Sequence, residues 1–239
     1  VRIGVTLLCA VPVVLLAYLA SGAVHPANSA RPAYNAGLAQ STADYSASTS
    51  TPGRRMTALA ARTRPTTYRI AFFGDSVSVG FGSSHRGDGY VGRVSSWLRT
   101  HGTRVITTNN ARGGVPVGYW MYAPMPKQLD AAVIELGTND VRLGTPPEQF
   151  ALEYRTLTSR IRAANPHAQI LCLSVWSHPA GASPDSVINK QIRAVCPGTY
   201  VDITRLRDRP HIRSSDGFHP NDLGYRLIAQ AVRSKLKTS

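Results

Sequence analysis

From residue 69 onward, short β-prone stretches, several of them apolar throughout, alternate with longer stretches in which apolar side chains recur every third or fourth position. A strand that is apolar on both faces has to be covered on both, which is the situation of strands in a parallel sheet. The longer stretches have the period of helices that bury one stripe. The strand candidates are residues 69–73, 104–108, 131–136, 169–175 and 200–203. Between them, Tyr90, Val94 and Trp97 share one helical face, and Phe150, Tyr154, Leu157 and Ile161 share another, closed by Pro166. Residues 187–195 form a further helix, and the last helix is expected to bury Leu223, Leu227, Ala231 and Leu236. The alternation predicts an α/β fold, a three-layer α/β/α sandwich around five parallel strands.

Such a sheet has a functional edge. The C-terminal ends of parallel strands all lie along one rim, and ligands bind in the crevice there. Three loop motifs leave strands at that rim: Gly74-Asp75-Ser76, Asn109-Asn110-Ala111-Arg112-Gly113-Gly114 and Gly137-Thr138-Asn139-Asp140. A fourth, Asp216-Gly217-Phe218-His219-Pro220-Asn221-Asp222, precedes the last helix and reaches the same rim across the loop after the fifth strand.

The residue types suit nucleophilic catalysis. A serine hydroxyl attacks a carbonyl only if a base takes its proton, and His219 is the candidate base for Ser76. Asp216, three residues before it, is placed to orient the ring and stabilise the imidazolium. The oxyanion needs preorganised donors, available as the Ser76 and Gly114 backbone N–H groups and the Asn139 amide. Gly113 competes with Gly114 for that task, because the two are adjacent.

In this order, the four blocks resemble those of the SGNH (GDSL-like) hydrolase superfamily, over the whole of residues 68–237. The resemblance implies a flavodoxin-like sheet, carboxylic ester hydrolysis through an acyl-enzyme, and no metal or other cofactor. By motif it makes Ser76 the nucleophile, Asp216 and His219 its partners, and Ser76, Gly114 and Asn139 the oxyanion hole. Ala111 departs from the pattern, standing where members commonly carry glycine. The Gly-x-Ser-x-Gly elbow of the other large α/β esterase fold is absent, as is zincin-type histidine spacing.

Other polar residues read more plainly. Asp75 and Asp140 are expected to brace loops through backbone N–H groups. His85, His101, His167 and His211 read as ordinary loop or helix-end residues, and His178 as a candidate for the pocket border. The cluster Tyr119-Trp120-Met121-Tyr122 is either a substrate-groove wall or a hydrophobic anchor.

Residues 1–23 begin with Arg2 and an uncharged apolar stretch that ends in small residues, the pattern of a signal peptide or a membrane anchor on the extracytoplasmic side. Residues 24–67, rich in Ser, Thr, Ala and Pro, read as a tether, with a short helix near 56–62, ahead of a hydrolase domain over 68–239. In an exported domain Cys172 and Cys196 are either disulfide-bonded or two buried thiols. Lys and Arg number 27 against 13 Asp and Glu, a net charge of +14. These cations are scattered, without a dense run, and no nucleic-acid motif accompanies them. The balance is read as a solvated basic surface, or else as contact with an anionic envelope. The expected substrate is a small-molecule or polysaccharide ester with a short acyl group, acetyl foremost. Rival readings are a lysophospholipase or thioesterase on the same scaffold, an acyltransferase, and a non-catalytic carbohydrate-binding module.

Overall fold

A computed structural model describes residues 67–85, 87–101, 104–176 and 184–238. The export segment, all but the last residue of the tether with its short helix, and His178 lie outside the described residues.

The elements run in the order β1 (Thr67–Gly74), α1 (Ser76–Val79), α2 (Tyr90–Thr100), β2 (Arg104–Ala111), a 3₁₀ helix (Val117–Tyr122), β3 (Ala131–Glu135), α3 (Thr138–Leu143), α4 (Pro147–Ala164), β4 (Gln169–Leu173), α5 (Pro184–Val195), β5 (Tyr200–Val201), a second 3₁₀ helix (Thr204–Leu206) and α6 (Asp222–Arg233). The five strands form one sheet in the order β2-β1-β3-β4-β5, and every neighbouring pair is parallel. This is the flavodoxin-like order, whose switch point lies between β1 and β3.

The two-residue period of the central strands separates two cores. Ile70 and Phe72 of β1, Ala131 and Val133 of β3, and Leu171 and Leu173 of β4 pack on one face with Val94 of α2 and Tyr225, Ile228 and Val232 of α6. Ala71, Phe73, Ala132, Ile134, Ile170 and Cys172 pack on the other face with Phe150, Tyr154, Leu157 and Ile161 of α4 and Ile192 of α5. Cys172 and Cys196 form a disulfide, with Cα atoms 6.2 Å apart, which joins β4 to the end of α5.

Two details differ from the sequence reading. Strand β2 continues to Ala111, so that the first half of the second motif is strand rather than loop. Helix α6 buries Gly224, Tyr225, Ile228, Ala229 and Val232, whereas Leu223 is exposed and Leu227 and Ala231 are only partly covered. The reason is the close approach of its backbone: a Cβ at Gly224 would lie 2.5 Å from the Ile212 carbonyl oxygen. The glycine side therefore faces inward and turns the leucines away.

Candidate active site

Ser76 is the first residue of α1, directly beyond β1. Asp75 caps this short helix, its Oδ1 accepting from the Val77 N–H at 3.0 Å, and Gly80 closes it in the left-handed region at φ +95°. The tight exit from β1 requires Gly74, where a Cβ would stand 1.9 Å from Ser78 Oγ. As a first-turn residue, Ser76 has a backbone N–H with no intrahelical acceptor.

The fourth motif comes to this point on a hairpin. Arg213 and Pro220 form an antiparallel bridge, the Ser214 N–H donates to the His219 carbonyl at 2.8 Å, and Gly217 turns at φ +72°. Asp216 Oδ1 accepts from Ser214 Oγ at 2.7 Å and from the Phe218 and His219 N–H groups at 2.8 and 2.9 Å. Asp216 Oδ2 lies 2.6 Å from His219 Nδ1, and His219 Nε2 lies 2.9 Å from Ser76 Oγ. An ionised carboxylate only accepts, so Nδ1 carries the proton and Nε2 accepts from the serine hydroxyl. Burial pushes the Asp216 carboxyl up, but hydrogen bonds from the His219 ring, Phe218, Ser214 and the His219 N–H outweigh it and hold the group well below the usual carboxylate range. Phe81 sets its edge against the imidazole, with ring centroids 5.5 Å apart, and Phe218 does the same at 5.0 Å. The Trp176 indole N–H donates to the Phe218 carbonyl at 2.9 Å and ties the turn to the end of β4.

The third motif meets the first through their side chains. Asn139 Nδ2 donates to Asp75 Oδ2 at 3.0 Å, which fixes the amide and leaves its second N–H. Arg142 donates to Asn139 Oδ1 at 3.4 Å. Asp140 Oδ2 accepts from the Val117 N–H at 3.0 Å and so connects the loop after β2 to α3. Both aspartates act as braces in this geometry. Gly114 has φ +77°, and a Cβ there would meet no atom within 4 Å. Backbone conformation rather than space is what selects glycine at this position. Gly113 has no left-handed backbone. In the aromatic cluster, Trp120 is buried against Phe73 whereas Tyr119 and Tyr122 are exposed, Tyr119 beneath the Arg112 guanidinium.

Beneath the site lies a group that sequence reasoning passed over. Glu135, at the end of β3, is fully buried, and its Oε2 accepts from Ser78 Oγ at 2.9 Å; Ser78 Oγ in turn lies 2.7 Å from the Tyr90 hydroxyl. Burial, reinforced by the charge of neighbouring Asp75, pushes the Glu135 carboxyl well above its usual range. Burial also raises Asp75, to about 7, against the hydrogen bonds that hold it down. Both Asp75 oxygens accept from N–H donors, so Asp75 is the better-served anion of the pair and Glu135 the neutral partner. The signal in the sequence was a lone acid in an otherwise apolar strand. Among the described residues no group of three or more His, Cys, Asp or Glu side chains is arranged to hold a metal ion.

Residues 72–227 match the family model described as the GDSL-like Lipase/Acylhydrolase family. No curated protein matches the chain. Among solved structures, TesA is similar with a TM-score of 0.61 at 21% identity, over 71% of this chain and 98% of that one. The psychrotrophic esterase EstA from Pseudoalteromonas sp. has a TM-score of 0.58 at 17% identity, over 70% of this chain and 95% of that one. A two-domain esterase active on acetylated mannans has a TM-score of 0.57 at 21% identity, over 71% of this chain and 48% of that one. At these identities the three structures share the fold.

Proposed function

The chain belongs to the GDSL-like lipase/acylhydrolase family and is a carboxylic ester hydrolase, and from that premise we propose that it removes short acyl groups, acetyl foremost, from an extracellular carbohydrate through an acyl-enzyme at Ser76. The observation that carries the assignment of roles is the continuous relay from Ser76 Oγ to His219 Nε2 at 2.9 Å and from Nδ1 to Asp216 at 2.6 Å.

In this mechanism Ser76 Oγ attacks the ester carbonyl carbon while its proton passes to His219 Nε2, and Asp216 stabilises the resulting imidazolium. The carbonyl oxygen becomes an oxyanion that accepts hydrogen bonds from the Ser76 and Gly114 N–H groups and the free N–H of the Asn139 amide. Each such donor supplies about 3–4 kcal/mol of transition-state stabilisation. Collapse breaks the ester C–O bond, and the alcohol leaves with the proton held on His219. Water then attacks the acyl-enzyme, giving its proton to His219, and the carboxylic acid departs as Ser76 recovers its hydroxyl.

Export is supported by the apolar segment at residues 3–20 and by the Cys172–Cys196 disulfide, a bond that persists in oxidising compartments. The carbohydrate reading is supported by the fold shared with an esterase active on acetylated mannans. The preference for short acyl groups is supported by the short spacing between motifs, which among the described residues is taken up largely by helices and strands, and by a sequence with no long apolar insertion there to cover a lipid chain.

The test is hydrolysis of p-nitrophenyl acetate by the full chain beside Ser76→Ala, followed by a chain-length series. The variant is expected to lose at least about 10³-fold in kcat. An unchanged rate removes Ser76 from the reaction, and faster release of long than of short acyl groups overturns the substrate class.

A further inference from the structure

The hairpin that carries His219 is preceded by a segment with a basic residue at every second position: Arg205, Arg207, Arg209, His211 and Arg213. Four of these, Arg207, Arg209, His211 and Arg213, line an open cleft of about 430 Å³ together with Asp208 and Ile212. The cleft belongs to the same local structure as the catalytic turn. Asn221 Nδ2 donates to the His211 and Arg213 carbonyls at 2.9 and 3.0 Å, the Asn221 N–H donates to the Ile212 carbonyl at 2.9 Å, and Arg213 bridges Pro220. Ile212 and Arg213, at the end of the cleft-lining segment, thus pair with the arm that carries His219, about 5 Å away in the pairing direction.

Among the described residues, no carboxylate lies within ion-pair distance of Arg209 or Arg213. Asp202 lies 4.0 Å from Arg205 and Asp208 lies 3.5 Å from Arg207, and both acids are exposed. The Arg205–Asp202 pair, exposed on both sides, leaves most of its field in place. Guanidinium groups bind planar oxyanions through paired N–H donors; here Arg207, Arg209 and Arg213 line one concave site, with Arg213 giving one N–H to the Arg207 carbonyl at 3.1 Å.

We propose that this cleft binds the anionic groups of a polysaccharide and so presents a neighbouring ester on the same chain to Ser76. The proposal deepens the ester-hydrolase reading above and rests on it for the purpose of the cleft. Two other anionic partners fit less well. A bilayer surface is engaged through exposed apolar side chains, and none of the exposed large hydrophobic residues belongs to this segment. Single-stranded nucleic acid is held by aromatic stacking as well as charge, and no Phe, Tyr or Trp lines the cleft.

Binding is measured with the full chain carrying Ser76→Ala, so that turnover does not interfere, on immobilised polygalacturonate and on neutral dextran. At low salt the chain is expected to bind polygalacturonate at least about tenfold more tightly than dextran, and to lose that preference as salt is raised several-fold. Arg209→Gln/Arg213→Gln should weaken binding about tenfold, because both lost charges face the repeating anion. Arg155→Gln/Arg162→Gln removes the same charge from exposed positions on α4, on the opposite face of the sheet, and should change it by less than about threefold. Should the cleft variant unfold at lower temperature, Arg209→Gln alone, at an exposed position, is expected to weaken binding about threefold. Equal losses in the two double variants would assign binding to the overall positive charge and overturn the proposal. Tighter binding to an RNA homopolymer or to anionic vesicles than to polygalacturonate would overturn it as well. Failure of the unsubstituted chain to hydrolyse any ester would defeat the ester-hydrolase reading while leaving the binding result in place.

Discussion

Replacing Asp216 separates two jobs that the carboxylate performs, and the two variants should differ in an unintuitive order. In Asp216→Ala the imidazolium loses its counter-charge. With charge centres about 4 Å apart, that interaction is worth roughly 1 kcal/mol in water-like surroundings and roughly 4 kcal/mol at an effective dielectric of 20. Asp216 is 46% exposed and His219 only 17%, so the real value lies between these limits. The loss in kcat is then between about fivefold and 10³-fold. Asp216→Asn keeps shape and bulk, and its Oδ1 still accepts from Ser214, Phe218 and His219 N–H. Its amide, however, presents N–H to His219 Nδ1, which turns the ring to the tautomer protonated at Nε2. That nitrogen can no longer take the Ser76 proton, and the expected loss is about 10⁴-fold. Stability should move the other way, because the alanine deletes three hydrogen bonds of the turn that the asparagine keeps. The assay is kcat for p-nitrophenyl acetate beside thermal unfolding of both variants. If Asp216→Asn stays within tenfold of the parent, tautomer control by Asp216 is not part of the mechanism.

Two further perturbations test the frame around the site. Opening the disulfide with Cys172→Ala/Cys196→Ala releases a loop with a sequence separation of 24 residues, worth about 3.5 kcal/mol in the chain-entropy description. Its unfolding midpoint should fall by about 7–14 °C, the parent in reductant should fall alike, and a drop below about 2 °C would show that the crosslink contributes little. Asp140 is held at about 6, chiefly by burial. Its native carboxyl binds the proton more tightly than the unfolded one, so the parent loses stability as pH rises from the ordinary carboxylate range through 6. Asp140→Asn has no such loss, and its stability relative to the parent should climb by up to about 3 kcal/mol across that window and then level off. A difference that does not vary with pH would show that Asp140 does not titrate there.

The parts of this molecule that were legible in the sequence are those governed by period and by position at strand ends. Strands apolar on both faces required two helical layers, and that placed the loops bearing Ser76, Gly114 and Asn139 on one rim. What escaped depended on approach distances. The inward face of α6 is set by Gly224 against Ile212, a contact between segments that no periodicity encodes. The pairing of Cys172 with Cys196 is likewise a matter of distance. The basic cleft escaped for a different reason: its cations alternate with Leu206, Asp208, Pro210 and Ile212, so they form no run along the chain and converge only when the segment is held against residues 219–221. Glu135 was hidden by its apolar neighbours in β3.

The carboxyl groups of the site divide by environment, and the division says which of them works. Asp75, Glu135 and Asp140 are fully covered and are all raised by burial; their hydrogen-bond partners are the α1 backbone, the Asn139 amide, Ser78 and the first residue of the 3₁₀ helix that begins at Val117. Asp216 stands at the rim and is held down by four donors. A charge needed during catalysis is best kept where donors already fix it, and a buried carboxyl whose oxygens accept hydrogen bonds can serve as a strut. The buried set therefore fixes where Ser76 and Asn139 stand, and the rim carboxylate supplies the charge that the histidine requires.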